Sequence, residues 1–581
     1  MTDDQGWGDL SMHGNPVLET PALDRLAQES VQLKQFYVHP VCTPTRAALF
    51  TGQHPQRGTA IDTYRGRAML GTEAVTIAER MRGAGWATGI FGKWHLGDAA
   101  PMRPLDQGFE RSLVHCGGGI GQPSDPVGAE GRYTDPVLQD QGEPVQHRGY
   151  CTEVYFREAM RWMETCREAG RPFFCAITPN APHTPLHDVP ADLYAKYKAK
   201  DLSAQAFAGE SGWPATFGDQ DQLARIYAMV EDIDRNVAAL VKYLDEQRLA
   251  EDTLLLFCCD NGPQGRRYNQ GLRAAKGEIH EGGVRSPLFV RWPAGLNAAV
   301  RSDGYAAHLD VAPTILEACG VDGAARDGLD GRSMIGLLRG EAAAVAAAKQ
   351  RPLVIQWARG DFPVYGHQLF VRLGDDKLVQ ETAQWDEKVV TPPRWAPKLY
   401  DLAKDPFERV DLAAERAERV RELSAIYDAW YRDVTGWDER SATTRPAGER
   451  ERFLAERYAP PAMHLGGPGA ERVVLTRQDW RPDNRDGWGG NGSWFVKFAD
   501  DAAWNARVHL QAGAQAQRVR LAVAVGTDRE AVYESEVPAG AREVVIALPK
   551  APRSDATVRL QATLVGGKRD GQGPHQVVLE R

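Results

Sequence analysis

Thr253-Leu254-Leu255-Leu256-Phe257-Cys258-Cys259-Asp260-Asn261-Gly262 is the stretch on which the reading of the fold turns. From Thr253 to Cys259 it carries no charge and is apolar on both faces, as a central strand of a parallel sheet covered by helices must be. The run then stops at two oxygen-donor side chains, Asp260 and Asn261, and a glycine. Open α/β sheets bind ligands beyond the C-terminal ends of their strands, so this tip is a candidate corner of a site. Asn-Gly is also ordinary turn chemistry, and alone the tip reads as a turn.

Working outward, the apolar run Pro172–Thr178 leads into Pro179-Asn180-Ala181-Pro182-His183-Thr184-Pro185, which puts His183 at a second strand end. Trp86-Ala87-Thr88-Gly89-Ile90-Phe91-Gly92-Lys93-Trp94-His95-Leu96-Gly97 reads as a strand with Lys93 and His95 on one face. Taken singly, these are a loop cap, an edge lysine and a surface histidine. Lys276 lies in a glycine-bounded loop before Glu281-Gly282-Gly283, and Asp3-Asp4 stand near the start. In Pro40-Val41-Cys42-Thr43-Pro44-Thr45-Arg46, Thr43 and Pro44 read as the cap and first turn of a helix that Gly52 ends. Cys42 then sits at a helix N-terminus, where free N–H groups favour an anion, and Arg46 lies one turn on. A lone cysteine in an apolar stretch is usually inert. The surroundings decide.

The chain has 581 residues, 43% hydrophobic and 25% charged, with a net charge of −9. That composition suits a soluble globular protein and gives no basis for a nucleic-acid partner. No apolar run reaches the roughly 18 residues of a membrane span. Eight cysteines in so long a chain make no disulfide framework, which leaves the redox compartment open. Cys175, Cys258 and Cys259 fall in apolar runs and are expected to be buried in strands.

Residues 1–350 alternate short apolar runs with helical periodicity, which predicts an α/β domain: a large, mainly parallel sheet sandwiched by helices. Helices are expected from Thr20-Pro21 and over 76–83, 153–168 and 221–247, with a long excursion at 117–150. Residues 351–435 read as a smaller antiparallel sheet plus helix subdomain, 436–470 as a polar linker, and 471–581 as a C-terminal all-β sandwich. Trp480, Trp488, Trp494 and Trp504 open that last part and suit a core better than sugar stacking.

Asp3, Asp4, Asp260 and Asn261 are donors of the kind hard divalent cations take. With the cations Arg46, Lys93 and Lys276 and the histidines His95 and His183, they suit a small tetrahedral oxyanion ester. The quoted motifs, in this order, resemble those of the sulfatase family within the alkaline phosphatase superfamily. Asp3–Leu10 is similar to its opening metal motif. Cys42-Thr43-Pro44-Thr45-Arg46 is similar to the signature whose cysteine becomes Cα-formylglycine, and Gly92–Gly97 to its second signature. Asn180–Pro185, Asp260-Asn261-Gly262 and Lys276 with Glu281-Gly282-Gly283 complete the set, over roughly residues 1–435.

The resemblance implies an alkaline phosphatase-like fold and an arylsulfatase-like sulfuric ester hydrolase acting on a small-molecule or carbohydrate sulfate ester. It implies that a formylglycine-generating enzyme converts Cys42. The metal set would be Asp3, Asp4, Cys42, Asp260 and Asn261 around one divalent ion, Ca2+ by family habit, with Mg2+ compatible. The hydrated aldehyde would attack sulfur to give a covalent sulfo-enzyme. Lys93, Lys276 and His183 would bind the sulfate, and His183 with Lys276 would protonate the leaving alcohol. His95 would take the proton that expels sulfate, and Arg46 would position the modified residue. Competing readings are a phosphonate monoester or phosphodiester hydrolase at the same site, a thiol hydrolase using unmodified Cys42, and a non-catalytic sulfated-glycan binding protein. In the family a buried strand precedes the Asp-Asp pair, so Met1 is expected to be an internal methionine of a longer natural chain. The location expected is then periplasmic or secreted, and cytoplasmic if Met1 is the true start. Oligomeric state has no signature in the sequence.

Overall fold

The computed structural model of the chain describes residues 1–203, 219–322, 326–382, 390–439, 446, 448–466, 470–482, 488, 491–510, 518–525, 529–538, 540–550, 557–565 and 574–581. In chain order, the part that builds the site runs α1 (Pro21–Gln28), β1 (Val31–Tyr37), α2 (Cys42–Thr51), α3 (Ile77–Gly83), β2 (Ala87–Lys93), β3 (Arg111–His115), β4 (Val137–Asp140) and β5 (Glu143–Gln146). It continues with α4 (Cys151–Glu168), β6 (Phe173–Thr178), α5 (Ala191–Lys198), α6 (Gln220–Glu246), β7 (Leu255–Cys258), α7 (Glu281–Val284), β8 (Arg285–Arg291), β9 (Ala306–Ala307) and α8 (Val311–Ala318).

The helices form where their local chemistry directs. α1 buries the stripe Leu23, Leu26 and Ala27. α3 starts at a reciprocal capping box, with the Thr76 hydroxyl on the Glu79 N–H and the Glu79 carboxylate on the Thr76 N–H. α2 begins at Cys42 with Val41 as its cap, two residues earlier than its sequence suggests, and closes on Gly52 at φ 69°. α4 and α6 pack their apolar faces against Phe91, Leu113, Phe257 and Phe289 of the sheets.

The one mainly parallel sheet expected from the sequence is here two mixed sheets, ordered β7-β8-β1-β9 and β5-β4-β3-β2-β6. β2 runs parallel to β3 and β6, and β1 parallel to β9, whereas β8 is antiparallel to both β1 and β7. The facing edges, β6 and β7, are joined through the first two residues. The Met1 ammonium donates to the Ile177 carbonyl at 3.0 Å, and the Thr2 N–H donates to the Cys258 carbonyl at 3.0 Å. Beyond Met1 lies an apolar cavity of about 640 Å³, lined by Phe173, Ile177, Leu254 and Leu256 among others. This explains why Leu255, Leu256 and Cys175 are only half-buried, although their runs read as fully covered strands. The excursion at 117–150 contains the β4–β5 hairpin.

Four antiparallel strands, β10 (Leu353–Gln356), β11 (Leu369–Leu373), β12 (Asp376–Gln380) and β13 (Lys398–Asp401), form a small sheet. The helix Ala417–Thr435 packs against it with Leu423, Tyr427 and Tyr431. The polar stretch after it holds the helix Glu449–Arg457, whose Leu454 is buried in the same cluster, and the strand Met463–Leu465. The C-terminal strands form two further sheets around a core with Trp480, Trp494 and Trp504. Met69, Ala99, Ala100 and Met102 of the α/β part join this core, so the two packings are continuous. Among the described residues no helix is long and apolar enough to cross a membrane.

The small sheet reaches the α/β part through Lys377 on β12. Its ammonium is fully buried and meets Glu281 at 2.8 Å and Glu408 at 3.1 Å. Breaking a buried pair from one side leaves an uncompensated charge. Lys377→Met is therefore expected to cost about 3–5 kcal/mol in urea unfolding at neutral pH. A loss below about 1 kcal/mol would show that this junction does not hold the two parts together.

Candidate active site

The candidate site residues lie at the C-terminal ends of these strands, on the loops beside them or, for Cys42 and Arg46, on α2, and all are buried except Lys276, which is partly exposed. Asp3 and Asp4 lie beside the end of β7, because the Asp260 N–H donates to the Thr2 carbonyl and the Asp4 N–H donates to Asp260 Oδ1 at 3.2 Å. Cys42 is the first residue of α2, and Gly277 N–H donates to the Pro40 carbonyl at 2.8 Å, tying the Lys276 loop to that helix entry. β2 ends at Lys93. His95 lies beyond it with φ 59°, so it does not share an extended face with Lys93 as its spacing suggests. The Thr43 hydroxyl donates to the His95 carbonyl at 3.2 Å, which ties His95 to the first turn of α2.

Three ion pairs organise the centre. Lys93 Nζ meets Asp3 Oδ2 at 2.6 Å, Lys276 Nζ meets Asp4 Oδ1 at 2.5 Å, and Arg46 Nη2 meets Asp260 Oδ2 at 2.9 Å. Arg46 Nη1 also donates to the Lys93 carbonyl at 2.7 Å, which fixes the end of β2. Arg267 supports the first loop from outside, donating to the Asp4 carbonyl at 2.8 Å and pairing with Asp9 at 2.6 Å.

The donor set fits a hard divalent cation. Asp3 Oδ1, Asp4 Oδ2 and Asn261 Oδ1 are buried oxygens with no hydrogen-bond partner among the described residues. Ligand atoms of Asp3, Cys42 and Asp260 lie within 4.8 Å of one another, and so do those of Asp3, Asp4 and His183. Burial, and next the Asp3 carboxylate, push Asp260 up to about 6. Burial also pushes Asp4 up, but Lys276, His183 and Lys93 outweigh it and hold it below the usual carboxylate range. Three carboxylates crowded out of water repel one another, and a cation held by oxygen relieves that repulsion.

Burial raises the Cys42 thiol, and Lys93 and Lys276 offset this only in part, so the sulfur stays protonated. Both candidate histidines are uncharged at neutral pH. Burial holds His95 well below its ordinary value, and burial holds His183 at about 3. His183 Nδ1 lies 2.7 Å from the Thr184 carbonyl, which can only accept, so Nδ1 carries the proton. Nε2 is left facing Asp4 Oδ2 at 3.8 Å.

Sequence reasoning missed His115. It ends β3 in register with Lys93, donates from Nδ1 to the Cys116 carbonyl at 2.8 Å, and keeps a buried Nε2 without a partner among the described residues. Its signal was available, since Leu113-Val114-His115 before glycines repeats the strand-then-glycine pattern of β2. Gly118 and Gly119 follow it and lie on the two catalytic candidates. A Cβ on Gly118 would sit 2.7 Å from His95 Cε1, and one on Gly119 would sit 2.9 Å from His183 Cε1.

A family model described as Sulfatase matches residues 1–321. This chain belongs to the sulfatase family of enzymes. Arylsulfatase A of Homo sapiens is 30% identical over 457 residues, covering 71% of this chain and 82% of that protein. N-acetylgalactosamine-6-sulfatase of Sus scrofa is 29% identical over 364 residues, 58% of this chain and 64% of that protein, so the match spans just under two thirds of its length. Among solved structures, Ps i-CgsB in complex with k-i-k-neocarrahexaose superposes with a TM-score of 0.63 at 24% identity, covering 76% of this chain and 95% of that one. That likeness gives the sulfatase its alkaline phosphatase-like mixed α/β fold.

In metal sites even outer-shell changes cost about 10–100-fold in affinity. Asp3→Ala removes a group with an open oxygen, and is expected to weaken binding of a divalent cation at least about 100-fold by isothermal titration. Unchanged binding would remove Asp3 from the ligand set.

Proposed function

We propose that this sulfatase hydrolyses a sulfate monoester of a carbohydrate or small alcohol, with Cys42, converted to formylglycine, bearing the attacking oxygen. The observation that carries this reading is the set of charges around Cys42. The residue stands at a helix N-terminus, within ligand distance of Asp3 and Asp260 and beside Lys93 and Lys276. A raised thiol is a poor nucleophile, which speaks for conversion and against a thiol hydrolase. The sugar class draws support from the family relative named for N-acetylgalactosamine-6-sulfate chemistry.

A divalent cation on Asp3, Asp4, Asp260, Asn261 and the converted Cys42, calcium by its oxygen donors, would supply Lewis acidity toward the sulfate and the attacking hydroxyl. The protein's own groups do the rest. Lys93 and Lys276, held by the Asp3 and Asp4 carboxylates, are placed to neutralise charge on the sulfate oxygens. Arg46, locked to Asp260 and to the Lys93 carbonyl, holds the end of β2 against α2. His183 presents a bare Nε2, and an anionic substrate beside it raises its proton affinity, so that it can pass a proton to the leaving alcohol. His95, uncharged at neutral pH, is suited to accept a proton.

The test uses the full chain expressed with a formylglycine-generating enzyme. 4-Nitrophenyl sulfate is expected to turn over with a higher kcat/KM than bis(4-nitrophenyl) phosphate, and Cys42→Ala to lower it at least about 1,000-fold. Preference for the phosphate diester would reassign the substrate to a phosphodiester. Activity surviving in Cys42→Ala would remove the proposed nucleophile.

A further inference from the structure

One turn of the C-terminal β part reaches the site. Gln478 is buried, and its side-chain amide donates to the Thr63 carbonyl at 2.6 Å. The same carbonyl lies 2.7 Å from His95 Nε2. A carbonyl only accepts, so Nε2 carries the imidazole proton and Nδ1 has the bare lone pair. Nδ1 is buried and has no partner among the described residues. The Gln478 amide nitrogen and His95 Nε2 are 3.2 Å apart, two donors converging on the two lone pairs of one oxygen. Turning the amide over would set its oxygen against the Thr63 oxygen, so its orientation is fixed.

The surrounding bonds hold this arrangement in place. Gly66 N–H donates to the Gln478 carbonyl at 3.1 Å, so Gln478 grips the Thr63–Gly66 loop at both ends. The next residue, Asp479, accepts from the Asp98 N–H at 3.3 Å, and the Asp98 carboxylate takes the Gly117 N–H at 2.9 Å. Gly118 then walls the imidazole on its Cε1–Nε2 edge.

We propose that Gln478 is a positioning residue for sulfate-ester hydrolysis, locking His95 through the Thr63 carbonyl into the tautomer whose Nδ1 is free to take a proton. This rests on the function proposed above and makes the C-terminal β part a component of the catalytic centre.

The test compares Gln478→Met with the parent in the full chain. Methionine conserves volume while removing the donor. Two readouts are taken: steady-state hydrolysis of 4-nitrophenyl sulfate by converted enzyme, and the imidazole nitrogen resonances of 15N-histidine-labelled, unconverted protein, with His95 assigned by its loss in His95→Asn. Gln478→Met is expected to lower kcat about 10-fold, part of the 100- to 10,000-fold that a positioned base contributes, with KM unchanged within about twofold. The His95 resonances are expected to show a second tautomer with Nδ1 protonated. Parental kcat in Gln478→Met would overturn the proposal, as would a lower kcat with a single, unchanged Nε2–H tautomer, which marks a merely structural role. If the parent hydrolyses no sulfate ester, the functional reading fails and the catalytic part of the proposal fails with it. The tautomer result still judges the brace itself.

Discussion

Three ion pairs, two fully buried and one partly open at Lys276, hold the centre of this sulfatase together: Arg46 with Asp260, Lys93 with Asp3, and Lys276 with Asp4. Each joins two chain segments far apart in sequence, so the pairs also dock α2, the end of β2, the Lys276 loop and the first residues onto the tip of β7. Such pairs are poor sources of net stability, because desolvation offsets their attraction. What they do is fix positions. Breaking any one strands a charge in a place where water cannot reach it, which makes the alternatives costly. The result is a centre in which three cations stand among three carboxyl and amide oxygens that have no hydrogen-bond partner among the described residues.

Much of this was legible locally. Apolar runs that stop at a polar residue mark strand tips, and Asp260, Asn261 and His183 are all found that way. Cys42 was readable from the proline and glycine that bracket its helix. Lys93 and His95 were found for a reason that did not hold, since the strand ends at Lys93 and the chain turns through positive φ at His95. His115 was missed because β3 is short and the glycines after it read as the start of a loop. The partners of His95 could not be found at all. A backbone carbonyl such as that of Thr63 has no residue signature, and Gln478 lies in a different part of the chain.

The sheet architecture shows the limit of hydropathy in the other direction. Leu254, Leu255 and Leu256 have the composition of a strand covered on both sides, and in the structure they are only half-buried and line an apolar cavity. The polar stretch 436–470 misled oppositely, because the helix Glu449–Arg457 buries only Leu454 and presents charge elsewhere. At the C-terminal end Trp480, Trp494 and Trp504 lie in the core as expected, Trp488 is only half-buried beside Tyr64, and the core is shared with Met69 and Met102 of the α/β part. Shared packing of this kind lets a turn of the last part touch a histidine of the first.

The central claim is that this charge arrangement serves a converted cysteine, and mass spectrometry of the tryptic peptide Gln35–Arg46 tests it most directly. After expression with an active formylglycine-generating enzyme, the account predicts the mass loss of thiol-to-aldehyde conversion at Cys42. A peptide carrying intact cysteine, from cells in which the generating enzyme converts a control substrate, would contradict it.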